Sequence, residues 1–192
     1  MSFTFILPIN QPLSGDSTNF LVDWGDGSGT QIFQVDRNNW STTNFSHTYN
    51  SNAEQTIKIY PATGHSFGKY WGFLLGASSA AMVQKIKSWG GFEFGYYGGS
   101  FQGCANMNIM DGAGAPLLPY ANSLSMAFRF CTSLAPDSST NSDFASWNTT
   151  SVTNLTETFR GCGSFNGNVN NWNVSNVTTA SKTFLDCTSF NK

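Results

Sequence analysis

The segment WNTTSVTNLTETFRGCGSFN, residues 147–166, is followed by a second copy, WNVSNVTTASKTFLDCTSFN, at residues 172–191. The copies lie 25 residues apart and share Trp, Val, Phe and Cys at equivalent positions. Self-similarity at a fixed period of roughly 20–50 residues is the signature of a repeat architecture, and the leucine-rich repeat falls within that range. This pair of segments therefore decides the fold that we predict for the carboxy-terminal half.

Two more divergent copies precede the pair. Residues 101–104 and 128–131 share the Phe-x-x-Cys element with it, and the intervals between the four elements are 27, 31 and 25 residues. The unequal intervals indicate loop insertions between four units of one array. We therefore predict a solenoid of about four coils.

Each unit carries an apolar stripe, as at Val152, Leu155, Phe159 and Cys162. The spacing of 3, 4 and 3 residues predicts one face of a short α-helix, which a short strand would follow. The predicted inward ladder consists of Trp89, Phe101, Cys104, Phe128, Cys131, Trp147, Phe159, Cys162, Trp172, Phe184 and Cys187.

The four cysteines all occupy the same phase of the repeat. We therefore predict that each thiol is buried on its own coil and stays reduced, because free Cys behaves as a small hydrophobe. A disulfide between neighbouring coils is the alternative. No metal site and no cofactor are predicted, since Cys-x-x-Cys spacing is absent.

Residues up to about Thr63 alternate apolar and polar side chains, as at Phe20, Val22 and Trp24. Clusters of Gly, Asn and Ser separate the alternating runs and are typical of turns. This pattern predicts a small β-sandwich over residues 1–63. A connecting segment over 64–88 and the repeat array over 89–192 complete an α+β fold.

The last two repeats resemble the BspA-type leucine-rich repeat of bacterial surface proteins. That family reads approximately W-[DN]-x-S-x-V-T-[ND]-M-x-x-M-F-x-x-C-x-x-F-N, and residues 148–166 and 173–191 fit it closely. Leu155 and Thr158, or Ala180 and Thr183, stand where the family has methionines. The resemblance implies adhesion or surface display and no common enzymatic activity.

The segment VDWGDGS, residues 22–28, followed by HTY at 47–49 and TIKI at 56–59, resembles the polycystic-kidney-disease-type (PKD) sandwich domain. One departure is Asp-Trp-Gly where many such domains have Trp-Asp-Phe-Gly. The resemblance implies a spacer or binding module. Its turn residues here are Asp23, Trp24, Gly25, Asp26 and Gly27.

Two residues near this turn have alternative chemical interpretations. A pair of aspartates provides too few of the six to eight oxygens that calcium takes, so we predict that Asp26 bonds to the backbone of its own turn. His47 is predicted to pack or hydrogen-bond inside the sandwich rather than to bind a metal or catalyse a reaction.

The composition argues against several classes of function. The chain has 9 basic and 11 acidic residues and a net charge of −2, whereas nucleic-acid binding needs clustered Lys and Arg. No run approaches the ~20 apolar residues that span a bilayer. There is no Gly-x-Ser-x-Gly motif and no suggestive carboxylate pair, so we predict that the protein is not an enzyme. A carbohydrate-active enzyme is the remote alternative.

Exposed aromatic rings are the candidate partner-binding residues: Phe92 and Tyr96 in the glycine-rich stretch 90–99, and Phe190 in the last unit. We predict protein partners, through self-association or through virion or cell-surface proteins, and surface glycan as a further class. Oligomers or a larger assembly are expected.

We predict a virion-surface protein, such as a capsid decoration, fibre or tail-associated protein. The small size, an N-terminal apolar run without an export signal and a last unit without a polar cap favour this setting. The alternative is a bacterial cell-surface adhesin module.

Overall fold

The computed structural model describes residues 2–9, 17–36, 38–39, 45–62, 77–94, 98–110, 112–118, 123–135 and 142–191. Five strands form the amino-terminal half: β1 (Phe3–Ile6), β2 (Ser17–Asp23), β3 (Thr30–Asp36), β4 (Ser46–Tyr49) and β5 (Lys58–Pro61). They make two open antiparallel sheets, a pair β1–β4 and a triplet in the order β3–β2–β5.

Aromatic rings join the two sheets. In β2, Thr18, Phe20 and Val22 are buried while the residues between them are partly exposed, which is the predicted alternation. Phe33 of β3 packs on Phe20 and on Phe45, which precedes β4, with ring centroids 5.5 Å apart in each pair. The inner faces of the two sheets therefore share one aromatic core, an arrangement loosely compatible with a sandwich.

Short elements follow the sheets. A 3₁₀ turn covers Ala80–Met82, β6 (Lys85–Ile86) pairs in parallel with β7 (Asn108–Ile109), and α1 covers Ser142–Ala145. No helix in the described part of the chain has the length and hydropathy needed to cross a membrane.

Four repeat units, which we number 1 to 4, cover residues 98–107, 123–134, 154–165 and 179–190. Isolated parallel bridges join Ser123 to Asn154 and Asn154 to Thr179, so units 2, 3 and 4 lie side by side. Each unit is a series of turns.

The predicted α+β class, with a leucine-rich-repeat solenoid, is wrong. In the described residues the only helices are the four-residue α1 and the three-residue 3₁₀ turn; strands, bridges, turns and irregular segments make up the rest. The short strand expected after each Cys is also absent from 166–172.

The local sequence explains why the predicted helices do not form. Residues 153–158 include three Thr and one Asn, whose side chains compete for backbone hydrogen bonds and disfavour helix interiors. Glu157 has a φ of 54°, which no right-handed helix contains. Thr158 N–H bonds within the unit to Leu155 O at 3.2 Å, but Phe159 N–H bonds to Thr183 O of the next unit at 2.9 Å. Alternate N–H groups thus point out of the unit.

The buried hydrophobic residues of the sheets and of the repeats form one core cluster. Hydrogen bonds also connect the two halves: Ile6 N–H donates to Ser79 Oγ at 2.8 Å, and Lys87 Nζ donates to Thr56 Oγ1 at 2.8 Å. Much of the predicted connecting segment, over 64–76, lies outside the described residues, so the domain boundaries stay a prediction.

Candidate functional site

A column of phenylalanine rings runs through all four units. The ring centroids are 6.0 Å apart for Phe101 and Phe128, 5.5 Å for Phe128 and Phe159, and 5.6 Å for Phe159 and Phe184. Neighbouring rings are within 9° of parallel. The period of the sequence thus places one ring of each unit directly against the ring of the next.

A second aromatic column flanks the first. Trp147 and Trp172 stack with centroids 5.9 Å apart, whereas Trp89 meets Trp147 edge-on at 5.7 Å. Trp172 Nε1–H donates to Phe144 O at 2.8 Å. The indole rings therefore line the core beside the phenylalanine column, with Trp89 turned relative to the later two.

The four cysteines form a column of free, buried thiols. Each later thiol donates to the phenylalanine carbonyl of the preceding unit, at 3.1 Å for Cys131 to Phe101 and 2.9 Å for Cys162 to Phe128. Cys187 repeats the contact with Phe159 O at 2.9 Å. Burial raises the pKa of the Cys162 thiol to about 12, which keeps it protonated as a donor.

From the sequence we predicted that the thiols are buried, but not that they act as hydrogen-bond donors. A column of threonines was not predicted either. Thr158 Oγ1 lies 3.0 Å from Leu124 O of the preceding unit and 2.8 Å from Leu155 O of its own unit. Thr183 Oγ1 lies 2.9 Å from Leu155 O and 2.8 Å from Ala180 O, so each hydroxyl lies between a carbonyl of the preceding unit and one of its own unit. Both threonines are buried. Thr stands immediately before the column Phe in both unit 3 and unit 4, and this recurrence could have predicted the threonine column.

The predicted PKD-like turn is held by its own aspartates. Gly25 N–H donates to Asp23 Oδ1 at 2.9 Å, and Ser28 N–H donates to Asp26 Oδ1 at 3.1 Å. This confirms that Asp26 bonds to its own turn. Gly25 has a φ of 81°, and a Cβ there would collide with Thr56 O, which explains the glycine. Gly27, with a φ of 83°, supplies the same left-handed conformation.

His47 ties the turn to the other sheet. Its Nε2 lies 2.7 Å from Asp26 Oδ2, and its ring stacks on Trp24 with centroids 4.9 Å apart. The Tyr49 hydroxyl donates to Trp24 O at 3.0 Å. Hydrogen bonds from Ser28 and then from His47 hold the pKa of Asp26 well below its usual range. Among the described residues, no group of three His, Cys, Asp or Glu side chains converges as a metal site would require.

A charged cluster clamps units 2 and 3 together. Glu157 lies 3.1 Å from Arg129 Nε and 3.0 Å from Arg160 Nη1, and both guanidinium groups lie over the Phe130 ring. At the equivalent positions of unit 4 stand Lys182 and Leu185. The clamp is therefore specific to one pair of units.

The three candidate partner-binding aromatics differ in their placement. Phe92 is buried, with ring centroids 5.6 Å from both Trp89 and Phe101, so its prediction as an exposed ring is wrong. Tyr96 lies outside the described residues. Phe190 is half-buried and stacks on Phe184 at 4.1 Å.

Unit 4 is less buried than unit 3 at two positions of the apolar stripe. Leu155 and Phe159 of unit 3 are 6% and 0% exposed, whereas their equivalents in unit 4, Ala180 and Phe184, are exposed and partly exposed. Unit 4 covers unit 3, and no described segment covers unit 4 on its far side.

Comparison with known protein families gave a match that covers residues 122–192. The matched family is described as "Mycoplasma protein of unknown function, DUF285". The comparisons with curated proteins and with solved structures gave no match. The matched residues contain units 2 to 4, and the match does not extend to the PKD-like turn. Residues 122–192 are therefore similar to a surface-repeat-type family, consistent with their resemblance to BspA-type repeats.

Proposed function

We propose that the protein is a non-enzymatic structural and adhesive protein of a surface, and that it contacts protein partners. The similarity of residues 122–192 to a surface-repeat-type family supports this most directly. The stacked phenylalanine rings and buried thiols of the four units are consistent with a structural role.

Two of the described carboxylates, Glu157 and Asp26, are already engaged in other contacts, which supports a role without catalysis. Glu157 is neutralised by two arginines, and Asp26 is bonded to its own turn and to His47. Neither is free to act as half of the acid–base pair that glycoside hydrolysis needs. The PKD-like amino-terminal half is proposed to serve as the spacer that carries the repeats.

We favour a virion surface as the setting, with a bacterial cell-surface adhesin as the alternative that the family match keeps open. Few charges and inward columns of rings, thiols and hydroxyls suit a protein that packs broad faces against neighbours. Protein partners are proposed first and surface glycan second.

Immunogold electron microscopy with an antibody against residues 147–191 tests this function. We expect label on particles released from producing cells. Label on the surface of intact cells and none on particles would favour the adhesin. Label confined to the cell interior would contradict both settings.

A further inference from the structure

Strand β3 is an edge strand, because in the described part of the chain β2 is its only neighbour in the sheet. On the other side of β2, Ala62 N–H donates to Asn19 O at 2.9 Å, so the backbone groups of Asn19 face β5. Backbone groups alternate sides along a strand, so Phe20 faces β3, where its partner is Phe33. Ile32 therefore directs its N–H and C=O away from β2, to the open side of the sheet.

Asn39 shows the same orientation and covers one end of this edge. Its Nδ2 donates to Gln34 O at 3.1 Å, and its Oδ1 accepts from Asp36 N–H at 2.9 Å. The outward groups of Thr30 and Ile32, and the N–H of Gln34, have no hydrogen-bond partner among the described residues. The edge is thus open over residues 30–34.

The two edges of the sheet are protected unequally. The opposite edge strand, β5, carries Lys58 and Pro61, and by the same alternation Pro61 stands where an outward N–H would otherwise be. Lysine and proline are devices by which natural sheets prevent edge-to-edge pairing. In β3, residues 30–35 read TQIFQV, with no charge and no proline, and Ile32 is 67% exposed. The β3 edge is therefore suited to accept another strand.

An apolar row on the outer face of the sheet ends at the same edge. Leu21 of β2 pairs with Tyr60 of β5 on one side and with Ile32 of β3 on the other. Tyr60 is 48% exposed and Leu21 is partly exposed. Side chains opposite each other on neighbouring strands pack together, so a strand added to β3 would continue this row beyond Ile32.

A second copy of β3 fits this edge in both hydrogen bonding and charge. An antiparallel edge is self-complementary, because each N–H meets a C=O when the strand pairs with a rotated copy of itself. With the twofold axis at Ile32, the two Ile32 residues bond to each other and Thr30 bonds to Gln34 of the other copy. Gln34 O can keep its bond to Asn39, since a carbonyl accepts two hydrogen bonds. Residues 30–34 are uncharged, so identical segments meet without repulsion.

We propose that two copies of the chain pair antiparallel through β3, with Ile32 on the twofold axis, so that their three-stranded sheets form one continuous sheet. The two apolar rows then join into one, from Tyr60 of one copy to Tyr60 of the other. This is strand addition between identical edges. The contact is small, so the dimer is in equilibrium with the monomer. The inference rests on the proposed function in one respect, since it names a second copy as a protein partner.

Size-exclusion chromatography with light scattering, over a series of concentrations of the full chain, tests the pairing. We expect the mass to rise from that of one chain to that of two. Ile32→Lys places two ammonium groups together at the axis, so its dimer dissociation constant should rise about tenfold or more. Ile6→Lys is the matched control, because Ile6 is an isoleucine of the other sheet that is 51% exposed. It should dimerise as the parent chain does.

Cysteine cross-linking tests the register. Ile32→Cys brings two thiols opposite each other with Cα atoms roughly 5.5 Å apart, which a disulfide can span. Gln34→Cys leaves them roughly 13 Å apart along the strands, which it cannot. Under mild oxidation we expect covalent dimers on non-reducing gels from Ile32→Cys and not from Gln34→Cys. The four native thiols are buried and give no competing link.

A parent chain that stays monomeric at the concentrations of an NMR sample would overturn the inference, as would a dimer that Ile32→Lys retains or equal cross-linking of the two cysteine variants. If immunogold labels particles but the chain stays monomeric, this inference fails and the proposed function stands. If the chain pairs through Ile32 but no surface is labelled, the proposed setting fails and the pairing of β3 stands.

Discussion

Single polar residues inside the array act as connectors between units. Thr158 and Thr183 bring a hydroxyl, and Cys162 and Cys187 bring a thiol, to carbonyls of the preceding unit. A buried polar group is tolerated only when it is hydrogen-bonded. The thiols find their acceptor in the preceding unit, whereas each hydroxyl has an acceptor in the preceding unit and another in its own.

Thr158→Val removes one such donor while keeping the shape of the side chain. We expect a loss of about 1 kcal/mol in the free energy of unfolding, measured by urea denaturation. Thr188→Val is the control, because Thr188 makes a similar bond to Gly163 O at an exposed position. Equal losses for the two variants would show that burial of the hydroxyl is unimportant.

Asp26 should make stability depend on acid pH. Its pKa is lowered in the folded state, so the stability that it contributes is present above the ordinary aspartate pKa and is lost as pH falls towards the folded value. We expect the thermal midpoint to fall as pH is lowered below about 4. Asp26→Asn should flatten this dependence, while Asp186→Asn at an exposed site should not. Parallel pH profiles for the parent and Asp26→Asn would contradict the assignment.

Each repeat unit consists of turns, but its apolar residues have the spacing expected of one face of a helix. The 3, 4, 3 spacing correctly put Phe159 and Cys162 inside, but spacing alone cannot distinguish a helix from stacked turns that direct the same residues inward. The distinction lies in local propensity and in left-handed residues such as Glu157, which the apolar pattern does not report. The strand around Phe20 and Val22 was predictable, because strict alternation of apolar and polar residues is typical of a strand and not of a helix or of stacked turns.

Gly161 tests the turn conformation of unit 3. Its φ is 74°, and a Cβ there would collide with the Phe130 ring. Gly161→Ala should therefore lower the free energy of unfolding by about 1–3 kcal/mol in urea denaturation. Gly163→Ala is the matched control, since the nearest atom to its Cβ is Thr188 Oγ1 at 3.6 Å and its φ is not left-handed. Equal tolerance of both substitutions would argue against this turn.

At the scale of the molecule, two open sheets and four stacked units share one core. The N–H groups of Phe101, Phe128 and Phe159 each donate to the unit that follows, so these hydrogen bonds all run in one direction. The repeat period predicted which residues stack, because side chains at equal phase meet when units lie side by side. It could not predict that alternate N–H groups of unit 3 donate to unit 4, because that depends on backbone conformation.

Amide hydrogen exchange of the isolated chain, measured residue by residue by NMR, tests the stacked-turn account most directly. The account predicts slow exchange at Leu155, Glu157, Phe159 and Gly161, which donate to unit 4, and fast exchange at Ala180, Lys182, Phe184 and Asp186. Protection that is equally strong in both sets would contradict it, because these four N–H groups of unit 4 would then already be bonded within the chain.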